Sequence, residues 1–278
     1  MRNIPLPIED DKNNLDLIVE DKTDKYANPI RNILSRIKNS YDNYESNKLS
    51  LENLRPIGLS ADQSNSILHA YNVKTKSFKA ISARLFNPDL PDFDECPYCG
   101  ISEPSTLDHY LPKETYPEFS VLSKNLIPIC SVCNTIYKKS KFLCNNQRIF
   151  IHPYYDIFPG ENFIGISIAV GNKIKINFSS VGHAGNIYFS GIFGRHFSNL
   201  NLKVRFKRKS ASEICRMRAS LRRAYRRRGA YQDVSSLLLS QSNDFKDSYG
   251  VNHWKVVLYL GLSRNVDFCN NGFMRDVE

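Results

Sequence analysis

The sequence predicts an α+β protein in which a cysteine-rich module is inserted between N-terminal helices and a mixed β-hairpin and helical C-terminal region. Three observations carry that prediction. Apolar residues recur at helical spacing before residue 87, two Cys-x-x-Cys pairs bracket short apolar runs between residues 96 and 133, and strand-like alternation around residue 171 gives way to an arginine-rich helical stretch. A chain of 278 residues that is 41% hydrophobic can bury a sizeable core. It shows neither the basic start and apolar run of a secretory signal nor an apolar stretch near the roughly 20 residues that span a bilayer. The expected compartment is therefore the cytoplasm, with no membrane partner.

Residues 1–26 are acidic and polar, and read as a flexible arm. Residues 27–92 form the N-terminal helical region. There Ile30, Ile33, Leu34, Ile37, Tyr41 and Tyr44 predict one long amphipathic helix, with Asn28 as N-cap and Pro29 in the first helical position. Shorter helices are predicted over residues 60–71 and 77–86. The run Asn-Pro-Asp-Leu-Pro-Asp at 87–92 then breaks the chain and marks a module boundary. Residues 93–156 form the cysteine-rich module, and residues 157–278 the C-terminal region. In the latter, strands over 163–170 and 173–179 flank a Gly171-Asn172 turn, and helices are predicted from Ser210 and over 233–241 and 252–262.

Seven cysteines are an odd number, and four of them stand as Cys96-Pro-Tyr-Cys99 and Cys130-Ser-Val-Cys133. Two residues between thiols let a tight turn present both to one tetrahedral ion, and Gly100 suits the left-handed backbone expected just after the first turn. In a reducing compartment this pattern predicts a four-cysteine zinc knot rather than disulfides. Four thiolates close the coordination shell, so the zinc is expected to be structural. The competing reading is of buried free cysteines or a redox pair. Cys144, Cys215 and Cys269 lack partners at such spacing and read as ordinary buried thiols.

The formal charge of +10 is concentrated: residues 201–230 hold twelve Lys or Arg against the single acid Glu213. Such a segment favours polyanions through phosphate contacts and counterion release, which makes nucleic acid the leading partner. On the helix predicted there, Arg216, Arg223 and Arg227 share one polar face and are the candidate phosphate contacts. A solvated exterior, or a face docked on an acidic partner, is the competing reading.

Between the cysteine pairs run Leu107-Asp108-His109 and Asn125-Leu126, and Asn134 directly follows Cys133. Phosphodiester hydrolysis needs an activated water and a cation to offset charge on the phosphate and leaving oxygen, and adjacent Asp and His can divide those tasks. Neighbours on a strand point to opposite faces, so both serve one site only if the strand ends there; Pro112 is consistent with such an ending. In this order of residues, the segment from about 94 to 142 resembles the HNH endonuclease family, the ββα-metal fold with four-cysteine zinc knuckles.

The resemblance implies a metal-dependent endonuclease that leaves a 5′-phosphate and a 3′-hydroxyl; DNA is the leading substrate, with restriction of modified DNA and cleavage of RNA as rival versions of the same chemistry. Asp108 and Asn134 would hold a catalytic Mg²⁺ or Mn²⁺, His109 would be the general base, and Asn125 would orient the His109 segment. The sequence departs from the family in two places. Asn134 stands where the family name suggests a histidine, and Tyr137 where a lysine is common, with Lys138 next. Lys113 and Lys138 are the candidate phosphate contacts within the module, and His152 is a candidate to complete the metal shell. A histidine of ordinary pKa near 6.5 would make the rate rise through that pH.

Standalone proteins of this kind resemble effector nucleases of bacterial anti-phage systems, including Septu-like ones, which implies a partner ATPase subunit. Two other classes compete: a noncatalytic zinc-stabilised module that binds nucleic acid, and a scaffold whose arginine helix docks a partner.

Overall fold

Helix α1 (Asp11–Glu20) forms where the sequence predicts a flexible arm. Asp10 caps it, its carboxylate accepting from Asn13 N, while Leu15, Ile18 and Val19 at i, i+3 and i+4 bury one apolar stripe. Asp11 then fastens the segment, accepting from Ser123 N and Ser123 Oγ at 2.9 Å each. The acidic residues around a three-residue stripe mask it in the composition, and that is why the expectation of disorder fails.

The computed structural model describes residues 1–86, 93–228 and 231–278. The predicted boundary at residues 87–92 and the side chain of Arg227 lie outside the described residues. The chain divides into two units, one of residues 3–157 and one of residues 158–278 with Met1 and Arg2.

In the first unit the single helix expected from Asn28 is two. Helix α2 (Asp24–Arg31) begins earlier, after Thr23, with Pro29 inside it, and α3 (Leu34–Ser46) restarts beyond a break at Ile33. The early start buries Ala27, and the break keeps Ile30, Ile33 and Ile37 all inside. Helix α4 (Ala61–Asn72) opens on a capping box in which Ser60 Oγ accepts from Gln63 N and the Gln63 side chain from Ser60 N, and α5 (Lys76–Phe86) follows.

Strand β1 (Thr106–His109) pairs antiparallel with β2 (Leu126–Ile129), Asp108 opposite Ile127 and His109 opposite Leu126. A π-helical turn, Val132–Lys138, leads off β2. A small hairpin, β3 (Leu143–Cys144) with β4 (Gln147–Arg148), turns on Asn145 and Asn146, both at positive φ, as a two-residue primed turn requires.

The second unit pairs β5 (Ile164–Val170) with β6 (Ile174–Ser180), close to the predicted hairpin. Helix α6 (Ile187–Asn199), not expected from the sequence, buries Ile192, Phe193 and Phe197. Helix α7 (Leu202–Arg228) starts eight residues before the predicted Ser210, because Leu202 and Phe206 extend its apolar stripe backward. Then come α8 (Tyr231–Tyr249), α9 (Trp254–Ser263) and α10 (Val266–Cys269). Helix α9 lies against β5 so closely that a Cβ on Gly261 would stand 2.8 Å from Ile166 Cγ2. Among the described residues no helix is long and apolar enough to cross a membrane.

Candidate active site

The two cysteine pairs converge. Cys99 N and Gly100 N donate to the Cys96 carbonyl at 3.2 and 2.7 Å, and Gly100 at φ +60° closes the turn as only a residue without Cβ does easily. On the other side Cys133 N approaches Cys130 Sγ at 3.5 Å. All four thiols are buried, and their sulfurs lie within 4.8 Å of one another. Cys99 Sγ and Cys130 Sγ are 3.9 Å apart, about twice a disulfide bond but close to the ~3.8 Å edge that Zn–S bonds of about 2.3 Å give a tetrahedron. The cluster could hold a structural metal such as zinc. Of the other thiols only Cys269 is buried; Cys144 and Cys215 are exposed, contrary to the sequence reading, because each sits on the outer side of its element.

The cysteine cluster fastens the turn after β2 to the end of the hairpin, and this positions Asn134. Asn134 N donates to the Cys130 carbonyl at 3.1 Å, and Lys139 N closes the wide turn on the Asn134 carbonyl at 2.7 Å. The Asn134 side chain donates from Nδ2 to Thr106 Oγ1 at 3.1 Å and to the Leu107 carbonyl at 3.4 Å, so its amide oxygen is turned away from β1. A cavity of about 440 Å³ opens there, its walls including Tyr71, Asp108, His109, Lys113, Glu114 and Asn134. Because β1 ends at His109, two consecutive residues, Asp108 and His109, line the same cavity.

Asp108 is 3% exposed and paired with a fully buried ammonium, Lys138 Nζ at 3.0 Å from its Oδ1. Lys138 also donates to the His109 carbonyl at 2.8 Å, and Tyr98 OH approaches Asp108 Oδ2 at 3.5 Å. Burial pushes the Asp108 carboxyl up to about 6, against the pull of Lys138. Lys138 is therefore not the surface phosphate contact that the sequence reading makes it. It lies four residues after Asn134, and the wide turn carries it inward under β1, while Lys139, at φ +53°, faces the cavity instead. Lys113 does stand at the rim, donating to Asn72 Oδ1 at 3.2 Å and lying 4.6 Å over the Tyr71 ring.

His109 Nε2 lies 3.0 Å from the Ser120 carbonyl. A carbonyl only accepts, so Nε2 carries the proton of the neutral ring and Nδ1 keeps the lone pair. Tyr71 packs edge-on at 4.3 Å between ring centroids. Burial pushes the His109 pKa down to about 3, with the cations Lys113 and Lys138 acting in the same direction. The imidazole is thus held in its neutral form by burial.

Asn125 is fully buried and spans the ends of the loop that leaves β1. Its Oδ1 accepts from Leu111 N at 2.8 Å, and its Nδ2 donates to the carbonyls of Leu111 and Phe119 at 3.2 Å each. Phe119 precedes Ser120, so Asn125 fixes the peptide next to the one whose carbonyl orients His109.

His152 is corrected from candidate ligand to core histidine. Its Nδ1 accepts from Tyr154 N at 3.3 Å and its Nε2 meets Tyr44 OH at 3.1 Å, which leaves no lone pair for a metal. Nearby, Arg148 grips Asp156 at 2.9 and 3.0 Å, and Asp156 Oδ2 accepts from His152 N at 2.7 Å. The acid four residues after His152 thus serves a buried ion pair, not a metal.

In the second unit, α7 exposes Arg222, Arg223 and Arg226. Arg216 is exposed but bonded to Glu213 at 2.6 Å, and Arg218 is spent on the carbonyls of Phe273 and Arg275. Sequence reasoning missed Tyr71, Tyr98, Glu114, Ser120 and Lys139. Tyr98, inside the first cysteine pair, was the one with a positional signal.

Over 192 aligned residues the chain is 31% identical to Protein ea31 of Escherichia phage lambda, an alignment that covers 63% of this chain and 63% of that protein's length. No protein-family model matches the sequence, and no solved structure matches it.

Proposed function

We propose that the cavity beside His109 is the active site of a metal-dependent nuclease of the HNH type, hydrolysing phosphodiester bonds in nucleic acid, DNA ahead of RNA. The observation that carries this reading is the convergence of Asp108, His109 and Asn134 on one cavity, next to four clustered thiols. The thiols hold zinc in this reading, and the zinc is structural because four sulfurs leave it no open position.

The donors on the cavity wall fit a second, hard cation. Asp108 offers a carboxylate and Asn134 an amide oxygen, both suited to Mg²⁺ or Mn²⁺. When bound, the cation would offset negative charge on the phosphate and on the leaving 3′ oxygen. The protein's own groups do the rest. His109 Nδ1 takes the proton of a water as its oxygen attacks phosphorus, and the Ser120 carbonyl holds the ring in the tautomer that can accept it. Asn125 holds the neighbouring Phe119 carbonyl and so the segment that carries Ser120, and Lys113 and Lys139 at the rim meet the flanking phosphates. The P–O3′ bond breaks as the new P–O bond forms, and O3′ takes up a proton from solvent water, which leaves a 5′-phosphate and a 3′-hydroxyl.

The relative carried by a phage supports a setting in phage biology, and a role in anti-phage defence beside an ATPase subunit is the version we propose. The second reading, a noncatalytic zinc module that binds nucleic acid, draws on the exposed arginines of α7. Incubating wild type and His109→Ala with supercoiled plasmid in Mg²⁺, Mn²⁺ or chelator separates the two. Metal-dependent nicking that the variant lacks supports the nuclease, and identical behaviour of the two proteins overturns it.

A further inference from the structure

We infer that Lys138 is a resident counter-cation of Asp108 that a divalent ion must displace, so that this lysine sets the cation affinity of the site. The inference rests on the proposed reading that the cation binds at Asp108 and Asn134. Lys138 is fully buried, and its Nζ has Asp108 Oδ1 at 3.0 Å and the His109 carbonyl at 2.8 Å. A buried charge needs a partner, and the partner here is the carboxylate that the cation needs. One carboxylate cannot neutralise an ammonium and a divalent ion a few ångströms apart, and their mutual repulsion in a buried site is large.

The side chain is suited to yielding. Lysine carries a compact charge on a flexible four-carbon stem with three rotatable donors, so Nζ can leave Oδ1 while keeping the His109 carbonyl. Arg148 differs, because its planar guanidinium binds Asp156 through two nitrogens and pairs with Glu52 at 3.1 Å as well. That pair is a fixed brace. The Lys138 pair is single-point, and Asp108 is among the residues that line the cavity. Cation binding is then an exchange: the ammonium leaves Asp108 as the divalent ion arrives, and until then no bare carboxylate is buried.

The test is Mn²⁺ binding to the zinc-loaded full chain, read as free Mn²⁺ by electron paramagnetic resonance, in wild type, Lys138→Gln and Asp108→Asn. Glutamine keeps a donor for the His109 carbonyl but removes the competing charge. The expected result is at least tenfold tighter Mn²⁺ binding in Lys138→Gln and loss of binding in Asp108→Asn. Unchanged or weaker binding in Lys138→Gln, with binding still lost in Asp108→Asn, overturns the inference and leaves the proposed function standing. Binding indifferent to Asp108→Asn, or absent from both wild type and Lys138→Gln, overturns both.

Should the glutamine variant fail to fold, acetylation footprinting of wild type gives the same decision. Mg²⁺ raises the reactivity of Lys138 severalfold if the ammonium is displaced. No change on adding Mg²⁺ overturns the inference.

Discussion

The imidazole of His109 donates from Nε2 to the carbonyl of Ser120 at 3.0 Å, across a separation of 11 residues. That single bond decides which nitrogen keeps the lone pair, and Asn125 holds both ends of the loop that makes it possible. The first prediction follows from it. His109→Ala lowers the single-turnover cleavage rate of a labelled duplex by about 10²–10⁴, the usual worth of a general base, while zinc content and the unfolding midpoint stay near wild type. A drop of less than tenfold removes His109 from the chemistry.

Asn125→Ala leaves four buried backbone and hydroxyl partners short of a bond. At about 1–3 kcal/mol for each buried group left unsatisfied, with partial relaxation, a loss of roughly 2–4 kcal/mol in unfolding free energy is expected. Denaturant titration measures it. A change under ~1 kcal/mol contradicts the bracing role.

Cys130→Ser removes one ligand from the thiol cluster. Elemental analysis is expected to give close to one zinc per chain for wild type and far less for the variant. Binding to zinc is worth on the order of 10 kcal/mol in folding terms for small modules, so the variant unfolds at a markedly lower temperature. Full zinc occupancy in the variant rules out the four-thiolate shell.

Much of this site was legible in the sequence, because short-range spacing encodes it. The cysteine pairs predict their own turns, and Asp108, His109 and Asn134 keep fixed offsets from them, so their meeting at one cavity follows from local geometry. What was hidden depends on long-range packing. Ser120 contributes only a carbonyl, which any residue supplies, and no pattern marks it. The inward turn of Lys138 comes with the π-helical winding of Val132–Lys138, which no local pattern announces. Helix α1 hides an apolar stripe of three residues within acidic sequence, and α6 carries two glycines that lower its helical signal.

Stability should fall in acid through the buried histidines. Burial holds the pKa of His152 well below its ordinary 6.5, so the folded protein binds fewer protons than the unfolded chain below that pH. The stability linked to this ring is complete above 6.5 and is lost as pH drops, at up to about 1.4 kcal/mol per unit. Denaturant unfolding at pH 7.5 and pH 5 is expected to show a fall that His152→Gln reduces by roughly 2 kcal/mol. An equal fall in both proteins contradicts the buried neutral assignment.

Arg223 and Arg226 are exposed on α7. If they meet phosphates, Arg223→Ala with Arg226→Ala lowers the slope of log affinity against log salt for DNA by about two, close to one for each phosphate no longer met. An unchanged slope assigns this face to solvent or to a protein partner.

The central claim is that four thiols brace a hairpin and a turn so that Asp108 and Asn134 share a cation beside His109. Anomalous diffraction from crystals grown with zinc and soaked in Mn²⁺, recorded on each side of both absorption edges, tests it most directly. The account predicts zinc among Cys96, Cys99, Cys130 and Cys133, and manganese in the cavity within coordination distance of Asp108 and Asn134. Manganese bound elsewhere, with that cavity empty at saturating ion, contradicts it.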